Sequence, residues 1–176
     1  MRVLQWMDEL ELAVCQQFNH YNRRRAISRF FGAVSRLGDG VLWYALMLAL
    51  PMIHGPEAAW VSLQMAVVGL ASLPVYKWLK RRTSRRRPCH RDRPFARTVA
   101  PLDEFSFPSG HTMHAVGFSV ILVAWLPVWG WLVVPFALLV AASRLVLALH
   151  YPSDVAMGAL IGASMAATVL GVVSLL

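Results

Sequence analysis

Apolar and polar positions follow two different rhythms along this chain. Over residues 3–21 the side chains of Val3, Met7, Leu10, Val14, Phe18 and Tyr21 recur at every third or fourth position, the repeat of one helix face. Acidic and amide side chains fill the other face. Such a helix either lies in a membrane interface or packs on the protein as a surface helix, and the pattern alone allows both. Beyond residue 30 the rhythm gives way to long apolar runs separated by short polar breaks.

These runs predict five spans. The stretch Val41–Ile53 is too short alone, because a bilayer core takes about 20 helical residues. The first span therefore starts near Phe30 and carries Arg36, Gly38, Asp39 and Gly40 in its early turns. Arg36 and Asp39 stand three apart, a spacing that lets them pair on one helix face. The others run from Ala58 to about Lys77, Met113 to Val128, Leu132 to about Leu149, and Val155 to Leu176. Loops fall at 54–57 and 127–131, with a long polar segment at 77–112. Gly158, Gly162, Ala166 and Gly171 give the last span a small-residue face for close helix packing. The expected fold is an all-α polytopic membrane bundle of about five transmembrane helices plus an N-terminal amphipathic interfacial helix. One domain is expected over 1–176, with 1–25 as the amphipathic segment and 30–176 as the catalytic bundle.

Composition supports a membrane protein: the 176 residues are 57% hydrophobic, with a mean hydropathy of +0.52. A net charge of +8 would point to nucleic acid in a soluble chain, but beside apolar runs it marks a face that meets anionic headgroups. No nucleic-acid partner is expected. All 17 Lys and Arg residues fall on one side of the five-span topology or in helix ends entering it, and Glu57 is the charged residue opposite. Trp60, Trp125, Trp129 and Trp131 mark the opposite interface. The positive-inside rule then puts the basic side in the cytoplasm. Cys15 and Cys89 have no zinc spacing and read as structural thiols. Asp8, Glu9 and Glu11 interrupt any signal-peptide core.

Three polar clusters share the basic side. Lys80 is followed after six residues by Arg87-Pro88; Pro108-Ser109-Gly110-His111 opens the third span; Ser143-Arg144 precedes His150 and Asp154. Ionisable groups at three helix ends at a membrane boundary are functional candidates. Lys80, Arg87 and Arg144 match phosphate oxygens in charge, and guanidinium forks match them in geometry. Ser109-Gly110 places free N–H groups at a helix N-terminus, an anion site. His111 and His150 are able to serve as nucleophile and proton donor, and Asp154 to hold one imidazole in a chosen tautomer. This set of groups suits phosphoryl transfer.

In order and internal spacing the three clusters resemble the signature motifs of the type 2 phosphatidic acid phosphatase superfamily, over about residues 30–176. The resemblance implies a lipid phosphate or diphosphate phosphatase with a phosphohistidine intermediate. It implies His150 as nucleophile, Asp154 as its orienting group and His111 as general acid, then base. It implies Lys80, Arg87, Ser109, Gly110 and Arg144 as phosphate ligands, and neither a metal nor a cofactor. The family usually has a further span before this region, where this chain has the amphipathic segment. Alternatives are a lipid phosphotransferase using the same phosphohistidine, a soluble vanadate-dependent haloperoxidase, which the apolar spans oppose, and a scaffold with a relic site. Polyprenyl diphosphate, phosphatidic acid, phosphatidylglycerophosphate and a polyprenyl sugar phosphate all fit as substrates. His114 reads as a metal-pair candidate with His111, His90 and Asp92 as solvated loop residues, and Asp103 and Glu104 as a solvated turn, with rejection or orientation of a polar headgroup as the alternative. Oligomeric state has no sequence signal.

Overall fold

The computed structural model describes residues 2–92, 94–101 and 103–175, with side chains from Trp6 onward. The Val3 side chain of the apolar stripe and Leu176 of the last span lie outside the described residues. Apolar runs in lipid must satisfy their own backbone groups, so they become helices. Seven α-helices form among the described residues: α1 Arg2–Tyr21, α2 Arg25–Arg36, α3 Leu42–His54, α4 Ala59–Thr83, α5 Gly110–Trp125, α6 Gly130–Val146 and α7 Pro152–Val173. There is no strand among the described residues; the nearest is one antiparallel bridge between Arg86 and Phe105.

Among the described residues four segments are long and apolar enough to cross a membrane: Arg25–His54, Pro56–Thr83, Pro127–Val146 and Pro152–Val173. The remaining predicted span, Met113–Val128, is the 16-residue α5, Gly110–Trp125. It starts three residues earlier because Ser109 caps it, and it stops before Pro127. At about 24 Å it is shorter than the bilayer core. It is also the central helix, packed against α4, α6 and α7, so neighbours rather than lipid cover it.

The closest packing is between α5 and α7. A Cβ on Gly158 would lie 2.5 Å from the Ser109 carbonyl oxygen, and one on Gly162 2.1 Å from that of Met113. Ala166 continues this buried face, but Gly171 meets open space and does not belong to it as the sequence pattern had it. The close approach joins two of the three motifs, since the Ser109 N–H donates to the Asp154 carbonyl oxygen at 3.0 Å.

The first span departs from expectation. It begins at Arg25 rather than near Phe30, and a wide turn at Leu37–Val41 separates α2 from α3. Gly40 takes φ +123°, a conformation open to glycine, and Gly38 sits against Val140 with no room for a side chain. The turn destroys the helical relation on which an Arg36–Asp39 pair depended, and no such ion pair forms. Asp39 instead reaches His111, with Oδ1 3.3 Å from Nε2.

α1 packs on the protein through its polar face and leaves its apolar stripe exposed. Met7, Leu10, Val14, Phe18 and Tyr21 are exposed, as is Trp6. The polar face packs inward, where Asn19 and Asn22 donate to the Ala96 carbonyl oxygen at 3.2 and 2.8 Å and Asp8 pairs with Arg91. Buried polar partners outweigh apolar burial here because the apolar face has lipid available to it. At the other end of the bundle Trp129 donates to His54 at 2.9 Å and Trp125 to Gln64 at 3.1 Å, consistent with tryptophans at the far interface.

Candidate active site

One cavity of about 700 Å³ opens at the basic end of the bundle. Six of the eight predicted site residues line it: Lys80, Arg87, Gly110, His111, Arg144 and His150. They come from the end of α4, the loop after it, the start of α5, the end of α6 and the turn before α7. Ser109 and Asp154 stand behind the wall, fully buried. The Ser109 hydroxyl is the N-cap of α5, accepting from the Thr112 N–H at 3.4 Å and lying 3.0 Å from the Thr112 hydroxyl. Its side chain is therefore occupied in capping.

His150 is 2% exposed. Arg87 Nη1 lies 3.1 Å from His150 Nε2 and donates to the Leu149 carbonyl oxygen at 2.8 Å. A guanidinium has only hydrogens to offer, so Nε2 is the acceptor and the ring proton sits on Nδ1. The nearest carboxylate to Nδ1 is Asp154 Oδ2 at 3.8 Å, longer than a hydrogen bond. Asp154 is instead held by the Tyr151 N–H at 2.8 Å and by Arg85 Nη1 at 2.8 Å. Burial pushes the His150 pKa down to about 4, with Arg87 adding to the shift and Asp154 opposing it. The imidazole is thus neutral at physiological pH, with its lone pair on the nitrogen beside Arg87.

Three cations surround this nitrogen's side of the cavity. Lys80, Arg87 and Arg144 are 7%, 3% and 2% exposed. Arg144 donates to the Ser143 hydroxyl at 3.0 and 2.9 Å and makes no ion pair among the described residues. A buried guanidinium without a carboxylate partner is costly unless an anion arrives to share the site.

Asp103 lies in an exposed turn, as the sequence reading had it, but it is also tied to the site. Its carboxylate bridges Lys80 Nζ at 2.6 Å and Arg87 Nη2 at 2.7 Å, and its carbonyl oxygen accepts from Arg87 Nε at 2.8 Å. Burial alone would raise its pKa, but the hydrogen bonds from Lys80 and Arg87 outweigh it and hold the group below the usual carboxylate range. Glu104, His90 and Asp92 are exposed as expected. His114 stacks on Phe118 at 5.5 Å and meets the Tyr76 edge, aromatic contacts in place of a metal pair. Sequence reasoning missed Asp39 and Arg85 as site-associated groups. Their one visible signal was an ionisable side chain at a membrane boundary, which the surrounding arginines obscured.

Away from the charges the cavity becomes apolar. Trp43, Tyr44 and Met47 of α3 face Leu70 and Leu73 of α4, with Phe118 at the base. Tyr44 is 66% and Leu70 67% exposed, so the groove opens sideways where lipid would lie.

Fold and site together define a polytopic helical membrane protein with a cavity lined by three buried cations at one end. The chain belongs to the PAP2 superfamily, whose model matches residues 57–175. It is 30% identical to the decaprenylphosphoryl-5-phosphoribose phosphatase of Mycobacterium tuberculosis over 138 residues, covering 77% of this chain and 75% of that one. A 59-residue match, 48% identical, relates it to the bacitracin transport permease protein BcrC of Bacillus licheniformis; it covers 32% of this chain but only 28% of that protein. Among solved structures the fold is that of a PAP2-type phosphatidylglycerolphosphate phosphatase from Bacillus subtilis, with TM-score 0.78 and 24% identity over 96% of this chain and 86% of that one. LpxE of Aquifex aeolicus gives TM-score 0.79 at 23% identity, covering 92% and 95%. Its family and its phosphatase-named relatives make the chain a membrane lipid phosphatase by class.

Proposed function

We propose that this protein removes phosphate from a polyprenyl-linked phosphate or diphosphate through a phosphohistidine on His150. The observation that carries this reading is the amphipathic cavity. Three buried cations and a neutral imidazole occupy one end, and an apolar, laterally open groove occupies the other. A phosphate on a long apolar tail matches both ends, and a relative matched over 138 residues is named a decaprenylphosphoryl-5-phosphoribose phosphatase.

In the proposed mechanism Lys80, Arg87, Arg144 and the N–H groups at the start of α5 hold the phosphoryl oxygens. His150 Nε2 attacks phosphorus, the bond from phosphorus to the leaving oxygen breaks, and His111 gives that oxygen a proton. Water then attacks the phosphohistidine, His111 takes its proton, and inorganic phosphate leaves. With Arg87 on Nε2 the ring proton sits on Nδ1, which faces the Asp154 carboxylate at 3.8 Å, and Nε2 is the attacking atom. The test is phosphate release by purified protein from undecaprenyl diphosphate, a polyprenylphosphoryl-5-phosphoribose, phosphatidylglycerophosphate and phosphatidic acid. The polyprenyl substrates are expected to be turned over fastest. Release from none of the four would overturn the reading, and transfer to an added lipid alcohol in place of water would identify a phosphotransferase.

Asp103 places two oxygens where phosphate oxygens would bind, so an incoming phosphate competes with it. Asp103→Asn should lower the orthovanadate concentration needed for half-inhibition by roughly fivefold, the equivalent of the ~1 kcal/mol that a half-exposed ion pair is worth. Weaker vanadate inhibition would mean that Asp103 supports the cations instead of competing for them.

The active site is proposed to face the cytoplasm. Ten Lys and Arg residues lie between Lys77 and Arg97, of which the phosphate pocket takes two. Arg85 and Arg91 pair with Asp154 and Asp8, and the remaining six support an inside position, because such loops remain inside. In protein freed of its native cysteines, an impermeant maleimide on intact spheroplasts should label a cysteine added after Leu176 and spare one in the 89–97 loop. The opposite labelling reverses the orientation.

A further inference from the structure

One edge of α1 follows the nucleophile turn step by step. Glu11 Oε1 accepts from the Ser153 N–H at 2.8 Å. Four residues on, the Cys15 thiol donates to the His150 carbonyl oxygen at 3.6 Å. Four residues further, Asn19 Nδ2 donates to the Val146 carbonyl oxygen at 2.9 Å. Successive turns of one helix thus hold the chain before, at and after His150, because positions four apart share a helix face. Arg85 closes the arrangement. Its Nη1 donates to Asp154 Oδ1 and to the Ser153 hydroxyl, both at 2.8 Å, its Nη2 bonds Glu11 Oε2, and its guanidinium lies 3.9 Å above the Tyr151 ring. Burial lifts the Cys15 pKa to about 12, so the thiol keeps its proton for the carbonyl.

We infer that Glu11 and Arg85 are positioning residues for the His150–Asp154 pair, and that α1, which precedes the segment matched by the family model, is a clamp on the nucleophile turn. This rests on the phosphohistidine reading above. The physical argument concerns Asp154. It is fully buried, and its contact with His150 Nδ1 is a loose 3.8 Å. A buried carboxylate must be fixed by other donors or it neutralises or turns away. The Tyr151 N–H fixes one oxygen, and Arg85 fixes the other. Arg85 is in turn held by Glu11, so a helix with its other face toward lipid sets the geometry of the reacting imidazole.

The test measures kcat and KM of full-length protein on farnesyl diphosphate and dioctanoyl phosphatidic acid in detergent micelles, with thermal unfolding as the folding control. Arg85→Ala is expected to lower kcat by roughly 10- to 100-fold, the worth of a charge-assisted hydrogen bond to a catalytic group, with KM and vanadate inhibition within about twofold of wild type. Arg85→Lys should recover part of the loss. Glu11→Gln should lower kcat by roughly tenfold alone and have no further effect in the Arg85→Ala background, since it acts through Arg85. If Arg85→Ala fails to fold, Glu11→Gln and Arg85→Lys decide the matter. Unchanged kcat in these variants, or a loss confined to KM, would overturn the clamp while an inert His150→Gln left the phosphohistidine reading intact. An active His150→Gln would remove the reading itself.

Discussion

Replacing His150 should leave no measurable turnover in a protein that still folds. The imidazole is enclosed, and Arg87 lies on its acceptor nitrogen in the cavity that Lys80 and Arg144 also line. Among the described residues the other imidazoles on the cavity wall are His111 and His114, of which His114 is stacked on Phe118. Loss of the nucleophile from a covalent mechanism removes on the order of 10⁴-fold or more of the rate. His150→Ala also empties a buried site, so His150→Gln, which keeps most of the volume, separates chemistry from packing. Both variants should unfold near the wild-type temperature and bind vanadate, yet form no acid-labile phosphoenzyme after an alkaline quench. A labelled phosphoenzyme in either would assign the nucleophile elsewhere.

His111→Ala should slow turnover by roughly 10²–10⁴, the range for a general acid–base group. Its consequences should differ from those of His150 loss in kind as well as size. The nucleophile remains, so a diphosphate, whose leaving group needs little protonation, should still form the phosphoenzyme. Hydrolysis of that intermediate needs a base for water, so the phosphoenzyme should accumulate. A monophosphate ester, with a poor leaving group, should lose both steps. Rapid-quench measurement of phosphoenzyme on the two substrate types checks this, and equal loss of phosphoenzyme on both would reassign His111. Asp39 lies 3.3 Å from His111 Nε2, so the pH dependence of turnover in this variant and in Asp39→Asn would show whether the carboxylate acts through the same imidazole.

Much of the fold was legible in the sequence because lipid imposes simple rules. Apolar runs of sufficient length become helices, and polar breaks become turns, whatever their neighbours are. The two places where the pattern misled were local competitions. The first span was read as one regular helix, but Gly38 and Gly40 allow a wide turn that redirects Asp39 from Arg36 to His111. The third span was read as Met113–Val128, and the Ser109 cap and Pro127 place the same length of 16 residues three positions earlier, at Gly110–Trp125, where α4, α6 and α7 pack around it. The tight α5–α7 contact at Gly158 and Gly162 was foreshadowed by small residues at helical spacing, although Gly171 was not part of it.

By itself the sequence determined the helical membrane class and the three motifs, since residue type and spacing carry that information without contacts. It also placed the cations, imidazoles and Asp154 at one end of the bundle, because helix count and span length settle which loops share a side. Only the tertiary structure decided what those groups touch. Long-range pairing brings Asp103 onto Lys80 and Arg87 across a loop, and sets Arg85 on Asp154 in place of a short His150 bond. It also turns the polar face of α1 inward and its apolar face outward. An amphipathic pattern states that a helix has two faces, but which of them meets the protein depends on the partners available. Here Ser153, His150, Val146 and Ala96 offer backbone groups that the acidic, thiol and amide edge satisfies, and the apolar stripe is left exposed.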